Sequence, residues 1–261
     1  MFEMENRKEP VIGIVGGMGP QAGAALFNSI LQHTKAATDQ EHYSVILMSF
    51  PGRIADRTAF LEGNTRSNPA YPIAEVLRQL EKAGATVAGI ACNTSYCQGI
   101  YEVILAELDR TDTRISLVNM PDATCASIRE RYPAISRVGI MVTNGTYRSG
   151  IYREALLRRG YDVVSPGRRL QEEVIHPLIY DPIFGLKATP NIVSPQARLL
   201  AAKAMDFFYH NGAELVLLGC TDLSILQTEG ILRGIPVADS TDALAVALIR
   251  KAKVYGTEIR L

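Results

Sequence analysis

The chain of 261 residues lacks an excess of either charge, because lysine and arginine together number 27 and aspartate and glutamate also number 27. A balanced chain shows no overall attraction to nucleic acid or to an anionic membrane. It also lacks any apolar run of the roughly 18 residues that a membrane-spanning helix needs. The sequence therefore predicts a protein that neither spans a membrane nor has nucleic acid as its partner.

Cysteine and histidine are scarce, with four residues of each. The first nine residues are charged and contain no apolar segment, so they do not resemble a secretory signal. Four cysteines without such a signal are typical of free thiols in a reducing compartment, and we expect a cytoplasmic protein. No histidine has the spacing to a cysteine that zinc sites show, so we expect no metal.

What the chain does contain is an alternation of apolar runs with longer amphipathic segments. In Tyr71–Ala83, for example, Ile73, Val76, Leu77 and Leu80 recur at helical spacing. The apolar runs predict eight strands: Val11–Val15, Ser44–Phe50, Thr86–Ala91, Ile115–Asn119, Arg137–Val142, Tyr161–Val164, Glu214–Gly219 and Ile235–Asp239. The predicted helices between them include Gln21–Ala37, Tyr71–Ala83, Ser95–Asp109 and Ser194–Asn211. Strands that alternate with helices in this way form parallel sheets covered on both faces, which predicts an α/β fold.

Two stretches of the chain match each other at a fixed distance. Residues 84–92 read GATVAGIAC and residues 212–220 read GAELVLLGC, so that Cys220 follows Cys92 by 128 positions (220 − 92). The runs VIGIV and VGIMV, which open the two halves of the chain, repeat at nearly the same distance. A repeat of this length is too long for a solenoid and indicates two copies of one domain.

The repeat predicts two pseudo-symmetric domains, each with a four-stranded parallel sheet flanked by helices. The first domain would contain residues 1–118 and a returning helix over residues 241–261, and the second would contain residues 119–240. Ligands of open parallel sheets bind beyond the carboxyl ends of the strands. Because Cys92 and Cys220 both follow strands, we predict an active site in the cleft between the domains.

Cys92 and Cys220 differ from the other two cysteines in where they lie. Each stands between a predicted strand and a predicted helix, where the positive end of the helix dipole lowers the pKa of a thiol. Cys97 and Cys125 lie in predicted helices, and there a cysteine is ordinarily a small buried apolar side chain. Two thiols that face each other across a cleft suit the removal of a proton from one face of a carbon and its delivery to the other.

The loop from Gly17 to Ala22 fits the G-x-G-x-x-[G/A] pattern of dinucleotide-binding folds. However, Pro20 removes an amide near the helix start, and no Asp or Glu ends the next predicted strand at Phe50. We therefore interpret the loop as a tight turn that brings the backbone close to a small substrate, with mononucleotide binding as the minor alternative.

Five motifs, in chain order and over most of the chain, resemble those of the aspartate/glutamate racemase family. They are Val11–Gln21 (VIGIVGGMGPQ), Ile54–Thr58 (IADRT), Cys92–Thr94 (CNT), Thr143–Thr146 (TNGT) and Gly219–Asp222 (GCTD). The resemblance implies a pseudo-symmetric two-domain α/β fold and a homodimer. It also implies inversion of an amino acid by two cysteines, without pyridoxal phosphate or another cofactor.

The resemblance assigns roles to individual residues as well. Cys92 and Cys220 resemble the family's proton donor and acceptor pair. Arg57 resembles the residue that reads the side-chain carboxylate of the substrate. Lys187, in the irregular segment Leu178–Pro195 that we interpret as a lid, resembles a lysine that closes on the substrate. Six residues resemble positions that line the substrate cradle: Met18, Asn93, Thr94, Thr143, Thr146 and Thr221.

Two positions depart from the family's motifs. Ser95 and Tyr96 stand where many relatives have Ala-His, and Asp222 stands where glutamate is usual. These departures bear on the side chain of the substrate and on the relative rates in the two directions. Both thiols are nevertheless retained.

Several functions remain open to a chain with these residues. A hydantoin racemase or a maleate-type cis–trans isomerase also uses paired cysteines. A non-catalytic module that binds acidic metabolites and a redox sensor that forms a disulfide between Cys92 and Cys220 are the alternatives of other classes. Arg57 and Lys187 favour an acidic amino acid, so we expect a racemase of aspartate, glutamate or both.

Overall fold

Two four-stranded parallel sheets form the framework of the protein in a computed structural model, which describes residues 9–189, 192–229 and 234–258. The strands are β1 (Val11–Gly16), β2 (Ser44–Ser49), β3 (Val87–Ile90), β4 (Ser116–Leu117), β5 (Arg137–Val142), β6 (Asp162–Val164), β7 (Leu215–Gly219) and β8 (Val237–Asp239). The strand order is β2-β1-β3-β4 in the first sheet and β6-β5-β7-β8 in the second. The two halves of the chain therefore have the same topology.

Helices cover the sheets. Over the described residues they are α1 (Pro20–His33), α2 (Arg57–Leu61), α3 (Ala70–Lys82), α4 (Tyr101–Arg110), α5 (Met120–Arg131), α6 (Asn144–Ser149), α7 (Ile151–Leu157), α8 (Arg168–Leu170), α9 (His176–Tyr180), α10 (Pro195–His210) and α11 (Ser240–Glu258). A π-helical turn, Gln171–Ile175, joins α8 to α9. The predicted α/β fold with two four-stranded parallel sheets flanked by helices is confirmed.

Strands β3 and β7 are apolar along their whole length because both of their faces are covered. Every residue of β3 and of β7 is buried. On one side of the first sheet, α3 buries Ile73, Val76, Leu77 and Leu80, which is the face that its periodicity predicts. Such all-apolar strands are typical of parallel sheets between two helical layers.

The last helix connects the two halves. Helix α11 begins directly after β8 of the second sheet, but its side chains Leu244 and Leu248 belong to the hydrophobic core of the first half. At Gly89 in β3, a Cβ atom would lie 3.0–3.2 Å from these two leucines, so the helix packs closely on the first sheet. This path is a covalent and apolar link between the halves.

The segment after Cys92 differs from its prediction. In place of a helix over residues 95–109, a 3₁₀ turn spans Asn93–Tyr96 and α4 begins only at Tyr101. Gly99 interrupts the helix with a φ of 78°, a left-handed conformation that a helix cannot include. Cys97 therefore lies in the connection and not within a helix as predicted.

The carboxyl ends of four strands meet on one side of the molecule. The loop after β1 contains Met18, the loop after β3 contains Cys92, β5 leads to Thr143 and β7 leads to Cys220. All four of these residues line one cavity, as expected for an open parallel sheet. Among the described residues, no helix is both long and apolar enough to cross a membrane.

Candidate active site

A small cavity between the two halves is lined by both Cys92 and Cys220, and we call it the inner cavity. Its volume is about 10 Å³, which is room for about one water molecule. The other residues that line it are Met18, Arg57, Asn93, Thr94, Thr143, Tyr180, Lys187, Gly219 and Thr221. Of the ten residues that the sequence proposes for the site, only Thr146 is not on this wall, and its hydroxyl lies 3.0 Å from that of Thr94.

A larger cavity of about 370 Å³, which we call the outer cavity, adjoins the inner one. It is lined by the loop Gly17–Gln21 together with Pro51, Ile54 and Asp56 of the first half, and by Leu186 and Asp222 of the second. Met18, Arg57 and Lys187 line both cavities. These three side chains therefore form the partition between the outer cavity and the two thiols.

The loop after β1 makes the tight turn that the sequence predicts. Gly17 has a φ of 89°, and a Cβ atom there would lie 2.8 Å from the backbone nitrogen of Phe50. Only glycine tolerates both the conformation and the close approach. The turn brings Met18 to the wall of both cavities.

Cys92 is held in an extended conformation at the end of β3, with φ −159° and ψ 113°. Two contacts anchor this strand end: the Tyr96 hydroxyl accepts a hydrogen bond from the Ile90 N–H at 3.1 Å and donates one to the Val118 carbonyl at 3.0 Å. Tyr96, one of the two departures from the family's motifs, is thus a buried support beneath the first thiol.

The pKa of the Cys92 thiol is lowered from its ordinary value of 9.0. Burial raises this pKa, but the positive charge of Arg57, hydrogen bonds from Ser95 and Arg57, and the more distant charge of Lys187 together outweigh the burial. The helix dipole that we invoked for this thiol is not the cause, because only a short 3₁₀ turn follows it. Cys92 is therefore the thiol that favours the thiolate.

The pKa of the Cys220 thiol is raised well above its ordinary value. Burial is the largest cause and the negative charge of Asp222 the next, and the charge of Lys187 only partly offsets them. The Cys220 Sγ donates a hydrogen bond to Asp222 Oδ2 at 3.4 Å, which requires the protonated thiol. The expectation of a lowered pKa is wrong for this cysteine, because burial and the Asp222 carboxylate both disfavour its thiolate.

Arg57 lies at the start of α2 with 6% of its surface exposed. Its Nη2 donates a hydrogen bond to the carbonyl oxygen of Met18 at 2.7 Å, and its Nη1 donates to that of Ala55 at 3.3 Å. The Nε is buried and has no hydrogen-bond partner among the described residues. A cation that is held by two carbonyls and by Cys92, and whose Nε–H is unpaired among the described residues, can bind an anion in the cavity without losing its support.

Lys187 belongs to the segment between α9 and α10, and its ammonium group donates a hydrogen bond to Asp222 Oδ2 at 2.6 Å. The two side chains are 23% and 7% exposed. The ammonium nitrogen also lies 5.4 Å from the centre of the Tyr180 ring, whose hydroxyl donates to Asp56 Oδ2 at 3.0 Å. Lys187 is therefore committed to a neighbouring carboxylate on the cavity wall.

Three threonine hydroxyls link the halves beside the inner cavity. Thr94 Oγ1 lies 3.1 Å from Thr143 Oγ1 and 3.0 Å from Thr146 Oγ1. Gly145 permits this approach, since a Cβ atom there would lie 3.0 Å from the Thr94 side chain. The cluster offers hydroxyl groups that can donate to a bound carboxylate.

Asn93 has a different surrounding from the threonines. Its side-chain amide donates to Ser240 Oγ at 3.0 Å, and its carbonyl oxygen accepts a hydrogen bond from the Tyr152 hydroxyl. Both partners belong to the second half of the chain. These bonds hold the turn after Cys92 against α7 and the start of α11.

Cys97 and Cys125 have the surroundings of inert thiols. Neither lines the inner or the outer cavity. Burial is the main cause that raises the pKa of each to about 11. Within the described parts of the chain, no group of three or more His, Cys, Asp or Glu side chains is arranged to hold a metal ion.

Tyr180 is the cavity residue that sequence reasoning missed. It stands seven positions before Lys187 in the same segment, so an aromatic hydroxyl close to a proposed site lysine was the available signal. The structure brings together three groups on this wall: the Tyr180 ring, the Lys187 ammonium and the Asp56 carboxylate. Burial is the main cause that raises the pKa of the Tyr180 hydroxyl, which remains a hydrogen-bond donor.

The family model of Asp/Glu/hydantoin racemases matches residues 15–248. Among solved structures, an aspartate racemase from Picrophilus torridus is 27% identical, with a TM-score of 0.76 and 94% of each chain covered.

Two more distant structures have the same fold. An aspartate racemase homologue from Pyrococcus horikoshii is 21% identical, with a TM-score of 0.67 over 94% of this chain and 99% of its own. A glutamate racemase from Francisella tularensis, solved with D-glutamate, is 16% identical, with a TM-score of 0.64 over 94% of this chain and 81% of its own.

Proposed function

Because the chain belongs to the Asp/Glu/hydantoin racemase family, we propose that it interconverts the L and D forms of aspartate, glutamate or both by proton transfer between two thiols and the α-carbon. Family membership and the structural likeness support a racemase. The proposal of proton transfer by two thiols rests on one observation. Two thiols, one from each half, line one cavity and have pKa values shifted in opposite directions.

In the proposed reaction, the Cys92 thiolate removes the α-proton from one face of the substrate. The Cys220 thiol delivers its own proton to the opposite face, which leaves Cys92 as the thiol and Cys220 as the thiolate. The reverse direction begins from that second state. Two bases act together only when their protonation states differ, so the pair titrates as one coupled system.

The difficult part of this chemistry is the negative charge that develops on the α-carboxylate when the proton leaves. Hydrogen-bond donors arranged in advance lower the barrier most effectively in a site that excludes water. The hydroxyls of Thr94, Thr143 and Thr221 and the backbone amides that follow the two cysteines are the donors that we assign to this carboxylate. Asn93 positions its turn, since its side chain is bound elsewhere.

Two cations, Arg57 and Lys187, favour a substrate that has a second carboxylate. Arg57 has a buried Nε without a partner among the described residues, and Lys187 lies on the same partition. Guanidinium groups bind carboxylates with particular strength. The relative from Picrophilus torridus is an aspartate racemase, which supports the same choice of substrate.

The proposal is tested by racemisation of L-aspartate and L-glutamate in deuterated solvent, followed by chiral chromatography and mass spectrometry. We expect early D-product to contain deuterium at the α-carbon while the remaining L-substrate retains its proton, since each thiol serves one face. Cys92→Ala and Cys220→Ala should each lower inversion by about 1,000-fold. Product that retains protium, or variants that racemise normally, would show the two-thiol assignment to be wrong.

Two control variants test whether the loss of any cysteine lowers the activity. Cys97→Ala and Cys125→Ala remove buried thiols outside the cavities, and both should racemise at the wild-type rate. The wild-type protein is also assayed with a hydantoin and with maleate. Turnover of either, together with no inversion of any amino acid, would replace the substrate that we propose. Activity that survives a chelator and hydroxylamine is the result expected for a cofactor-independent reaction.

A further inference from the structure

Lys187 is already paired with a carboxylate in the state that the structure describes. Its ammonium donates to Asp222 Oδ2 at 2.6 Å across the boundary where the two cavities meet. The inner cavity, about 10 Å³ in volume, is too small for an amino acid. A ligand that reaches the thiols from the outer cavity must therefore displace the partition, and the Lys187–Asp222 pair is part of it.

Separating Lys187 from Asp222 is unfavourable unless another group takes the place of the lost partner. Both side chains are largely buried, and separating such a pair leaves a desolvated charge on each side. A carboxylate on the incoming ligand is the same chemical group as the Asp222 carboxylate. It can accept the hydrogen bond of Lys187 in exchange, so that the ammonium passes from one carboxylate to another. A ligand with an uncharged side chain offers no such replacement.

We propose that Asp222 is a specificity-determining residue that competes with the ligand for Lys187, so that the inner cavity opens most readily to ligands with a second carboxylate. This inference deepens the proposed function and rests on it for the identity of the reaction. Asp222 acts through Lys187 and Cys220 and is a positioning residue, since it lines the outer cavity only.

The exchange has a consequence for the second thiol. Asp222 Oδ2 accepts hydrogen bonds from both Lys187 and Cys220. When Lys187 turns to the ligand, Asp222 loses its cation and keeps its bond to the Cys220 thiol. An unneutralised carboxylate beside a thiol disfavours the thiolate further. Arrival of a dicarboxylate thus favours the protonated form of Cys220, which donates the proton in the direction that begins with Cys92 as the base.

The test uses succinate, a dicarboxylate without an amino group or a stereocentre, so that binding is measured apart from catalysis. Calorimetry gives the Kd of succinate for the wild type, Asp222→Asn and Asp222→Glu. Asparagine keeps the shape of aspartate but not its charge, whereas glutamate keeps the charge. We expect Asp222→Asn to bind succinate about tenfold more tightly, and Asp222→Glu to stay within about threefold of the wild type.

A double-mutant cycle assigns the effect to Lys187. Lys187→Gln removes the ammonium group for which Asp222 and the ligand compete. In that background, Asp222→Asn should leave the Kd of succinate unchanged. Butyrate, which has four carbons and one carboxylate, measures the selectivity for the second carboxylate. The wild type should bind succinate at least about tenfold more tightly than butyrate, and Lys187→Gln should remove this preference. Aspartate kinetics complete the set, with KM expected to fall in Asp222→Asn while kcat does not rise.

The outcomes separate this inference from the proposed function. If Asp222→Asn binds succinate no more tightly, or tightens it equally in the Lys187→Gln background, the competition is refuted even where the wild type racemises aspartate. If the succinate cycle behaves as expected but no amino acid is inverted, the competition stands and the proposed reaction fails. A circular dichroism melt of each variant verifies that every protein compared is folded.

Discussion

The two halves of the molecule have the same strand order and place a cysteine after the equivalent strand, yet the charges beside the two thiols are opposite. Arg57 lowers the pKa of Cys92, whereas Asp222 contributes to the raised pKa of Cys220. Asp222 occupies the position in its half that Thr94 occupies in the other, 128 residues earlier (222 − 94). One of these equivalent side chains is a neutral hydroxyl in a threonine cluster, and the other is a carboxylate in an ion pair.

This difference explains how a duplicated fold can prepare an unlike pair of groups. In two identical surroundings a shared proton would have no preferred thiol, so neither cysteine would be set in advance as the base. A cation beside one thiol and an anion beside the other separate the two pKa values. The repeat supplies the geometry, and the departures from the repeat supply the protonation states. The following predictions test that asymmetry.

The largest effect is expected when the cation beside Cys92 is removed. Arg57→Gln leaves Cys92 buried without its main stabilising charge, so its pKa should rise and the thiolate should become rare at neutral pH. We expect kcat/KM for aspartate to fall by about 100-fold. Arg53→Gln, which changes an exposed arginine near the same loop, is the matched control and should retain wild-type activity. Equal losses in both variants would contradict a specific role for Arg57.

A smaller effect is expected in the pH dependence of the wild type. In the proposed reaction, the direction that begins with Cys92 as the base requires Cys92 as thiolate and Cys220 as thiol. The profile of kcat/KM against pH should therefore rise through a pKa below 9.0, which belongs mainly to Cys92, and fall through one above 9.0, which belongs mainly to Cys220.

Variants then move the two limbs of the profile separately. Asp222→Asn removes the negative charge beside Cys220, so the falling limb should shift to lower pH while the rising limb stays in place. Arg57→Gln should shift the rising limb to higher pH. If either variant moves both limbs by the same amount, Arg57 and Asp222 do not each control one thiol. Thiolate absorbance in the ultraviolet, compared between the wild type and Cys92→Ala, identifies the first group to titrate.

The scaffold of the site was predictable from the sequence because its signals are local. The apolar runs of β3 and β7, the repeated Gly-Ala and Cys positions, and the strand-to-helix alternation depend on residues close together in the chain. They yielded the parallel sheets. The same runs indicated which loops meet at one cavity.

The electrostatics were not predictable in the same way. The Lys187–Asp222 pair joins residues 35 positions apart, and the Arg57 charge reaches Cys92 only through the packing of α2 against the turn after β3. Helix dipoles, from which the pKa values of the thiols were predicted, suggested the same direction for both thiols. Burial and distant charges decided otherwise. The homodimer stays a prediction because it concerns a second chain.

The smallest effect concerns the starts of the two helices that follow β4 and β8. Asn119 precedes α5 and accepts a hydrogen bond from the Asp122 N–H at 3.0 Å, and Asp239 precedes α11 and accepts one from the Thr241 N–H at 2.7 Å. Asp239 is 8% exposed, and burial is the main cause that raises its pKa from 3.8 to about 6. The connection from β8 to α11 thus has a carboxylate where the equivalent connection from β4 to α5 has a neutral group.

Because its pKa is raised in the folded protein, Asp239 destabilises the fold when it ionises. Between pH values of about 4 and about 6 the unfolded chain ionises Asp239 before the folded protein does, so this group costs stability as the pH rises. Asp239→Asn cannot ionise, which removes a cost of roughly 3 kcal/mol at pH 8. Its amide nitrogen also replaces the oxygen that accepts the Gln227 hydrogen bond at 2.6 Å, so we expect the free energy of unfolding to increase by about 1 kcal/mol at pH 8, with no gain at pH 4. Urea unfolding at both pH values measures this difference. Asn119→Asp makes the reverse change at a half-buried helix start, where the helix dipole favours a carboxylate. It should change the free energy of unfolding by less than about 0.5 kcal/mol. A gain from Asp239→Asn that persists at pH 4 would mean that packing, and not the buried charge, distinguishes the two helix starts.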